Sequence, residues 1–169
     1  MGKSNEGKLV LVLHDIRSAH NVGAMFRTAD GAGVSEIILS GYTPVPPKKD
    51  QLYLTDADKA MKKTALGAEE SVSWKKVVSL TRLLNRLKKD GYEIAVLEQD
   101  KKSIDYRKYR PKKNVALVVG NEVLGVDAKT LKRCDVILEI PMYGKKNSLN
   151  VSVATGIALY QITSTIEKD

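Results

Sequence analysis

Short apolar runs alternate along this chain with longer stretches in which apolar residues recur every three or four positions. Leu9 to Leu13, Ile37 to Leu39, Glu93 to Leu97, Val115 to Val119 and Val136 to Ile140 are brief and rich in branched side chains, which predicts strands. Asn21 to Ala32 puts Val22, Met25, Phe26 and Ala29 on one face of a helix. Asp56 to Leu66 reads as a second helix. Lys75 to Lys89 reads as a third, with Val78, Leu83, Leu84 and Leu87 on one side and Gly91 as its stop. A short helix from about Asp127 to Leu131 and a long one from roughly Asn150 to Glu167 follow. The stretch "YTPVPPKKDQ" has too many prolines for regular structure and reads as an exposed loop.

Strands separated by helices predict an α/β fold, a mostly parallel sheet covered by helices on both faces. The near-continuous apolar strands "VALVV" and "IAVL" fit burial on both sides. No repeat, low-complexity tract or linker breaks the pattern, so residues 1–169 are expected to form a single domain. Ligands of such sheets gather beyond the carboxyl ends of the strands. Those ends are His14 and Asp15, Ser40 and Gly41, Glu98, Gly120 to Glu122, and Pro141 to Gly144.

Composition then removes several classes. At 43% hydrophobic and 28% charged residues the chain is globular in character, and its apolar runs are too short to span a bilayer. The opening "MGKSNEGK" lacks the apolar core of a signal peptide, and Cys134 is the single cysteine. Both point to a cytoplasmic protein without an intramolecular disulfide. His14 and His20 have no partners at metal-site spacing, so no metal is expected. The net charge of +8 favours polyanionic partners. Basic residues cluster at 48–50, 61–63, 82–89, 100–102, 106–113 and 144–146. In "YRKYRPKK" the interleaved Tyr106 and Tyr109 suggest a surface that holds phosphates and stacks on bases.

Three strand ends lead into segments with more polar chemistry than a turn needs. In "SAHNVGAMFRTADGAG", Asn21 or Ser18 can cap the helix, and Arg27 lies nearly two turns beyond Asn21. Arg27 is either a surface residue or an anion ligand. Gly23, costing about 1 kcal/mol relative to alanine inside a helix, implies close approach by a backbone or a ligand. In "VVGNEVLGVD" a buried strand ends at Gly120, and Glu122 follows. Gly120 either adopts positive φ or admits a ligand to the backbone, unless Gly120 and Gly125 are simple turn glycines. In "IPMYGKKNSLN", Pro141 ends strand pairing and Gly144 permits a reversal. Ser148 and Asn150 then supply two polar groups where one suffices as a cap. Neither G-x-G-x-x-G nor G-x-x-x-x-G-K-[ST] occurs, which disfavours a nucleotide or NAD enzyme of the Rossmann type.

Taken together, "NVGAMFR", "GNEVLG" and "IPMYGKKNSLNVSVATGIAL" resemble motifs one, two and three of the TrmH-like, or SpoU, branch of the SPOUT RNA methyltransferases. The similarity runs from Leu9 to Tyr160. It implies methylation of a ribose 2′-hydroxyl in structured RNA, tRNA slightly before rRNA, with S-adenosylmethionine as cofactor. It also implies a C-terminal trefoil knot, which physical reasoning from the sequence would reject. On that resemblance the adenosine lies near Leu97, Gly120, Ile140 and Leu149. Arg27 contacts the RNA phosphate and assists deprotonation. Asn21 and Glu122 organise Arg27 and the ribose, and Ser148 and Asn150 shape the substrate-facing wall. The family acts as a homodimer in which each Arg27 completes the partner's site. The final helix fits this, since Val151, Val153, Ala154, Ile157, Ala158 and Ile162 leave few polar positions for a solvent face. No appended RNA-binding domain is expected. The competing reading is a non-catalytic RNA-binding or assembly protein on the same fold.

Overall fold

A computed structural model describes residues 7–112 and 114–166; residues 1–6, Lys113 and residues 167–169, among them the expected helix end Glu167, lie outside the described residues. Seven strands form one sheet: β1 (Leu9–His14), β2 (Glu36–Ser40), β3 (Trp74–Val77), β4 (Glu93–Leu97), β5 (Ile104–Asp105), β6 (Val115–Val119) and β7 (Val136–Glu139). Their order is β3-β2-β1-β6-β4-β7-β5, and every pairing is parallel. Among the described residues six α-helices accompany them: α1 (Ala19–Gly31), α2 (Asp56–Ala65), α3 (Ala68–Ser71), α4 (Leu80–Lys89), α5 (Ala128–Leu131) and, after the last strand, α6 (Val151–Thr165).

The alternation of side chains along a strand splits the apolar residues into two cores. Leu9, Leu11 and Leu13 of β1 join Val115, Leu117 and Val119 of β6 on the face covered by α1, α2 and α6. Val10, Val12, Ala116 and Val118 join Leu80, Leu83, Leu84 and Leu87 of α4 on the other. Central strands of this kind must be apolar throughout, which is why "VALVV" shows no alternation. Gly23 lets α1 and α2 meet, because a Cβ there would collide with the Thr64 hydroxyl and the Met61 carbonyl. The close approach inferred at Gly23 is therefore made by α2, not by a ligand.

One predicted helix is divided. Residues 75–77 lie in β3, paired with β2 from Ile37–Trp74 to Ser40–Val77, and the helix begins only at Leu80. Val78, expected on the apolar face, is 94% exposed. The Ser79 hydroxyl accepts from Arg82 N at 3.3 Å and starts α4, whose seam is Leu80, Leu83, Leu84 and Leu87. Edge pairing, with Lys75 Nζ 2.8 Å from Glu36 Oε2, outweighs the helical preference of the two lysines. The tyrosines of the basic cluster also depart from expectation. Tyr109 is 5% exposed within the core, and Tyr106 packs half-buried against it.

Candidate functional site

A cavity of about 350 Å³ opens beyond the carboxyl ends of β4, β6 and β7. That volume lies in the range of small-molecule sites, roughly 300–1,000 Å³. Three loops wall it: residues 97–99 after β4, 120–126 after β6, and Ile140, Met142 and 147–149 after β7, with Val151 and Ala154 of α6 behind. All four residues expected around the adenosine, Leu97, Gly120, Ile140 and Leu149, line this one space, together with Glu122 and Ser148.

The loops are cross-linked by side chains. Glu98 Oε2 accepts from Val126 N at 2.9 Å, tying the turn after β4 to the loop after β6. Its neighbour Gln99 donates Nε2 to the Asn147 carbonyl at 2.6 Å and holds the loop after β7. Asn121 is 6% exposed and uses both ends of its amide. Its Oδ1 accepts from Val123 N and Leu124 N, both at 2.8 Å, and its Nδ2 donates to the Asp15 carbonyl and to Tyr42 Oη. Gly120 is needed because a Cβ would lie 2.6 Å from the Gly125 carbonyl oxygen and from a Val126 methyl. Its close neighbour is thus its own loop, and the positive φ belongs to Gly125, at 64°.

A second network joins the three motif segments. Glu122 accepts from Arg17 N at 2.9 Å, Ser18 N at 3.0 Å and Asn21 Nδ2 at 3.1 Å. Asn21 Oδ1 in turn accepts from Asn150 Nδ2 at 3.2 Å, and Asn150 Oδ1 caps α6 by accepting from Ser152 N at 2.8 Å. Ser18, not Asn21, is the cap of α1. Desolvation pushes the Glu122 carboxyl up, but the backbone N–H groups of Arg17 and Ser18 and the Asn21 amide outweigh it and hold the group below the usual carboxylate range. Asn150 being the cap leaves Ser148 as the surplus hydroxyl, and it faces the cavity.

Arg27 stands apart. It is exposed and lines a separate open groove with Lys63, Thr64, Thr28 and Tyr160. Glu122 spends its bonds on the N-terminal end of α1 rather than on the Arg27 guanidinium.

The charge of the cavity is distinctive for a chain of net charge +8. Glu98, Glu122 and Glu139 line it, and no lysine or arginine does among the described residues. Such walls suit a cationic or neutral ligand with an apolar part and disfavour a phosphorylated one. No group of three His, Cys, Asp or Glu side chains among the described residues could hold a metal ion. No helix among them is long and apolar enough to cross a membrane.

The model of the SpoU rRNA methylase family matches residues 8–160. The chain belongs to this SpoU family. A Staphylococcus aureus protein assigned by name to the TrmH family of tRNA/rRNA methyltransferases is 34% identical over 161 residues, covering 95% of this chain and 60% of that one. This SpoU chain therefore spans about 60% of the length of the first curated relatives it matches. The solved AdoMet-bound rRNA methyltransferase of Sinorhizobium meliloti is 26% identical with a TM-score of 0.78, covering 95% of this chain and 57% of that one. A structure concerned with the 2-OH methylation of C/U34 on tRNA is 25% identical with a TM-score of 0.73, covering 92% and 93% of the two chains.

Sequence reasoning placed Glu98 and Asn121 at strand ends without giving them a role and did not reach Gln99; all three hold the loops. For Glu98 the signal is a charge directly after an apolar strand. The tethers made by Gln99 and Asn121 leave no local signal, because their partners lie 48 and 106 residues away.

Proposed function

We propose that this SpoU chain is a cytoplasmic methyltransferase that moves a methyl group from S-adenosylmethionine to a ribose 2′-hydroxyl of structured RNA, tRNA slightly before rRNA, and that it acts as a homodimer. The observation that carries the reading is the cavity at the ends of β4, β6 and β7, apolar and anionic in its walls, beside the Glu122–Asn21–Asn150 network. The residues fit the cofactor: Leu97, Ile140 and Leu149 offer apolar contact for adenine, and Glu98, Glu122 and Glu139 favour a cation. The AdoMet-bound S. meliloti relative supports the cofactor, and the relative concerned with 2-OH methylation of tRNA supports the acceptor.

Bound S-adenosylmethionine supplies an electrophilic methyl group on a sulfonium. Alignment is then the main task of the protein, and holding reactants in line contributes on the order of 7–11 kcal/mol. Glu122, kept ionised by its N–H donors, is a weak base and serves to fix Asn21 and the start of α1. Asn21 and Asn150 lock that helix to the N-terminus of α6. Arg27 is also a poor base, because its guanidinium carries N–H donors and no acceptor. Its chemistry is to orient an RNA phosphate and stabilise the developing alkoxide.

Arg27 lines its own groove rather than the cavity, which supports a reading in which it serves the cavity of a second copy. The open side of α6 next to that groove supports such a contact: Val153 is 51% exposed, Tyr160 is 55% exposed, and Gly156 and Ile157 are half-buried. Small and apolar residues on an open helix face suit a helix of a second copy. A threaded C-terminus is part of the same proposal. The link of residues 98–103 joins β4 to β5 across β7, which lies between them, and Gln99 bonds the Asn147 carbonyl of the chain leaving β7.

Calorimetry with S-adenosylmethionine, paired with transfer of labelled methyl groups to unfractionated tRNA and rRNA, tests the reading. Binding and label in alkali-resistant dinucleotides are expected; no binding at millimolar cofactor would sink it. Mapping 2′-O-methyl sites in RNA from cells lacking the protein then identifies the target.

A further inference from the structure

One exposed aromatic ring stands beside the cavity without contributing to it. Tyr143 follows the cavity-lining Met142 and is 80% exposed. Its hydroxyl accepts from Arg107 Nη2 at 2.7 Å, and the guanidinium carbon lies 5.9 Å from the ring centroid. The arginine thus bonds the hydroxyl and leans over one side of the ring, while the exposure of the residue leaves the other side open. Arg107 is itself fixed, since its Nε donates to Asp105 Oδ1 at 2.9 Å and its Nη2 to Asp105 Oδ2 at 2.5 Å. Asp105 pairs in register with Glu139 in the β5–β7 ladder, so the anchor rests on the sheet. The hydrogen bonds and charge of Arg107 hold the Asp105 carboxyl down to about 2.

A ring tethered this way has lost much of its freedom before any ligand arrives, which lowers the entropy cost of binding on it. Pinning the loop explains the hydroxyl bond but not the open face, because an exposed ring gains nothing from burial. The neighbours are cationic: Arg107 touches the ring, and Lys108 beside it in sequence and Lys145 and Lys146, two and three residues beyond Tyr143, are exposed. An open aromatic face among arginines and lysines is the arrangement that takes an unpaired base and its flanking phosphates. Tyr106 and Tyr109, the tyrosines that the sequence offers for this task, are occupied by the core.

We propose that Tyr143, held by Arg107, is a stacking platform for an unpaired base of the RNA next to the target nucleotide, with Lys145 and Lys146 on the adjoining phosphates. The proposal rests on the RNA methyltransferase reading and names the surface by which that RNA is gripped. A stacked base is worth enough that Tyr143→Ala should weaken binding of unfractionated tRNA by about tenfold. Tyr143→Phe, which keeps the ring and loses the hydroxyl, should stay within about threefold of the unaltered protein. Polyphosphate, a polyanion without bases, should bind equally to all three proteins, and S-adenosylmethionine affinity should not change. Tyr143→Trp in a Trp74→Phe background gives a direct signal: quenching by tRNA and none by polyphosphate. Unchanged tRNA affinity in Tyr143→Ala overturns the platform, as does a loss in Tyr143→Phe equal to that in Tyr143→Ala. A protein that binds neither tRNA nor rRNA even unaltered overturns both this proposal and the reading beneath it.

Discussion

The cavity and the Arg27 groove differ in how their residues are held. Around the cavity each loop is tied to another: Glu98 to Val126, Gln99 to Asn147, Asn21 to both Glu122 and Asn150. Around the groove, Arg27 is exposed and bonded to nothing among the described residues, beside Lys63 and the exposed Tyr160. A site whose walls are fixed by hydrogen bonds within one chain can select its ligand alone. An arginine on an open helix face has no such preorganisation and needs an outside partner to acquire it. Under the proposed function the two regions are the halves of one reaction centre, the first complete in a single chain and the second only in a dimer.

The largest effect expected from breaking this division is at Arg27. Arg27→Ala should lower methyl transfer by on the order of 10²–10³-fold while leaving S-adenosylmethionine affinity within about twofold, measured by label transfer and calorimetry. Normal turnover in that variant would end the assignment. Next is Ile157→Asp, which sets a charge on the half-buried side of α6 near Gly156 and Tyr160. Sedimentation should report a monomer that still binds the cofactor and no longer transfers methyl groups. A dimer that persists would put the interface elsewhere.

Gly120→Ala addresses the cavity itself. The added methyl meets the Gly125 carbonyl oxygen at 2.6 Å, so destabilisation of about 1–3 kcal/mol and weaker cofactor binding are expected in urea unfolding and calorimetry. Gly23→Ala is its counterpart, since it should destabilise through α2 and leave cofactor affinity alone. The two variants behaving alike would erase the distinction between the regions. The smallest effect concerns Glu122. Its folded pKa is depressed below its ordinary 4.5, so its contribution is present above that pH and fades as pH falls through the lower folded value. Glu122→Gln should therefore cost about 1 kcal/mol at pH 7, with the unfolding curves of variant and parent converging in acid. Curves that stay apart in acid would show that the charge is not what holds α1.

The elements with two apolar faces or a clear seam were legible from periodicity: β1, β4, β6, α1, α2 and α6 lie within a few residues of expectation. Where periodicity competed with sheet pairing it misled, as at Trp74–Val77, because an edge strand with lysines has no apolar alternation to announce it. The cavity residues Leu97, Gly120, Ile140 and Leu149 came from motif resemblance, and the positions of their strand ends agree with a shared space. The tyrosines show the converse failure. Composition pointed to Tyr106 and Tyr109, yet the open ring is Tyr143, 36 residues from the arginine that holds it.

By itself the sequence determined the order and type of most elements, the apolar core and the net positive charge, because these depend on local spacing and on sums over residues. Only the tertiary structure decided which polar groups are spent on the fold and which remain for a ligand. It assigned Asn150 to capping and left Ser148 at the cavity, and it turned Arg27 away from the residues it is expected to serve. The reason is physical: a hydrogen bond between residues about a hundred positions apart leaves no trace in local pattern, and each such bond changes what its partners are free to do.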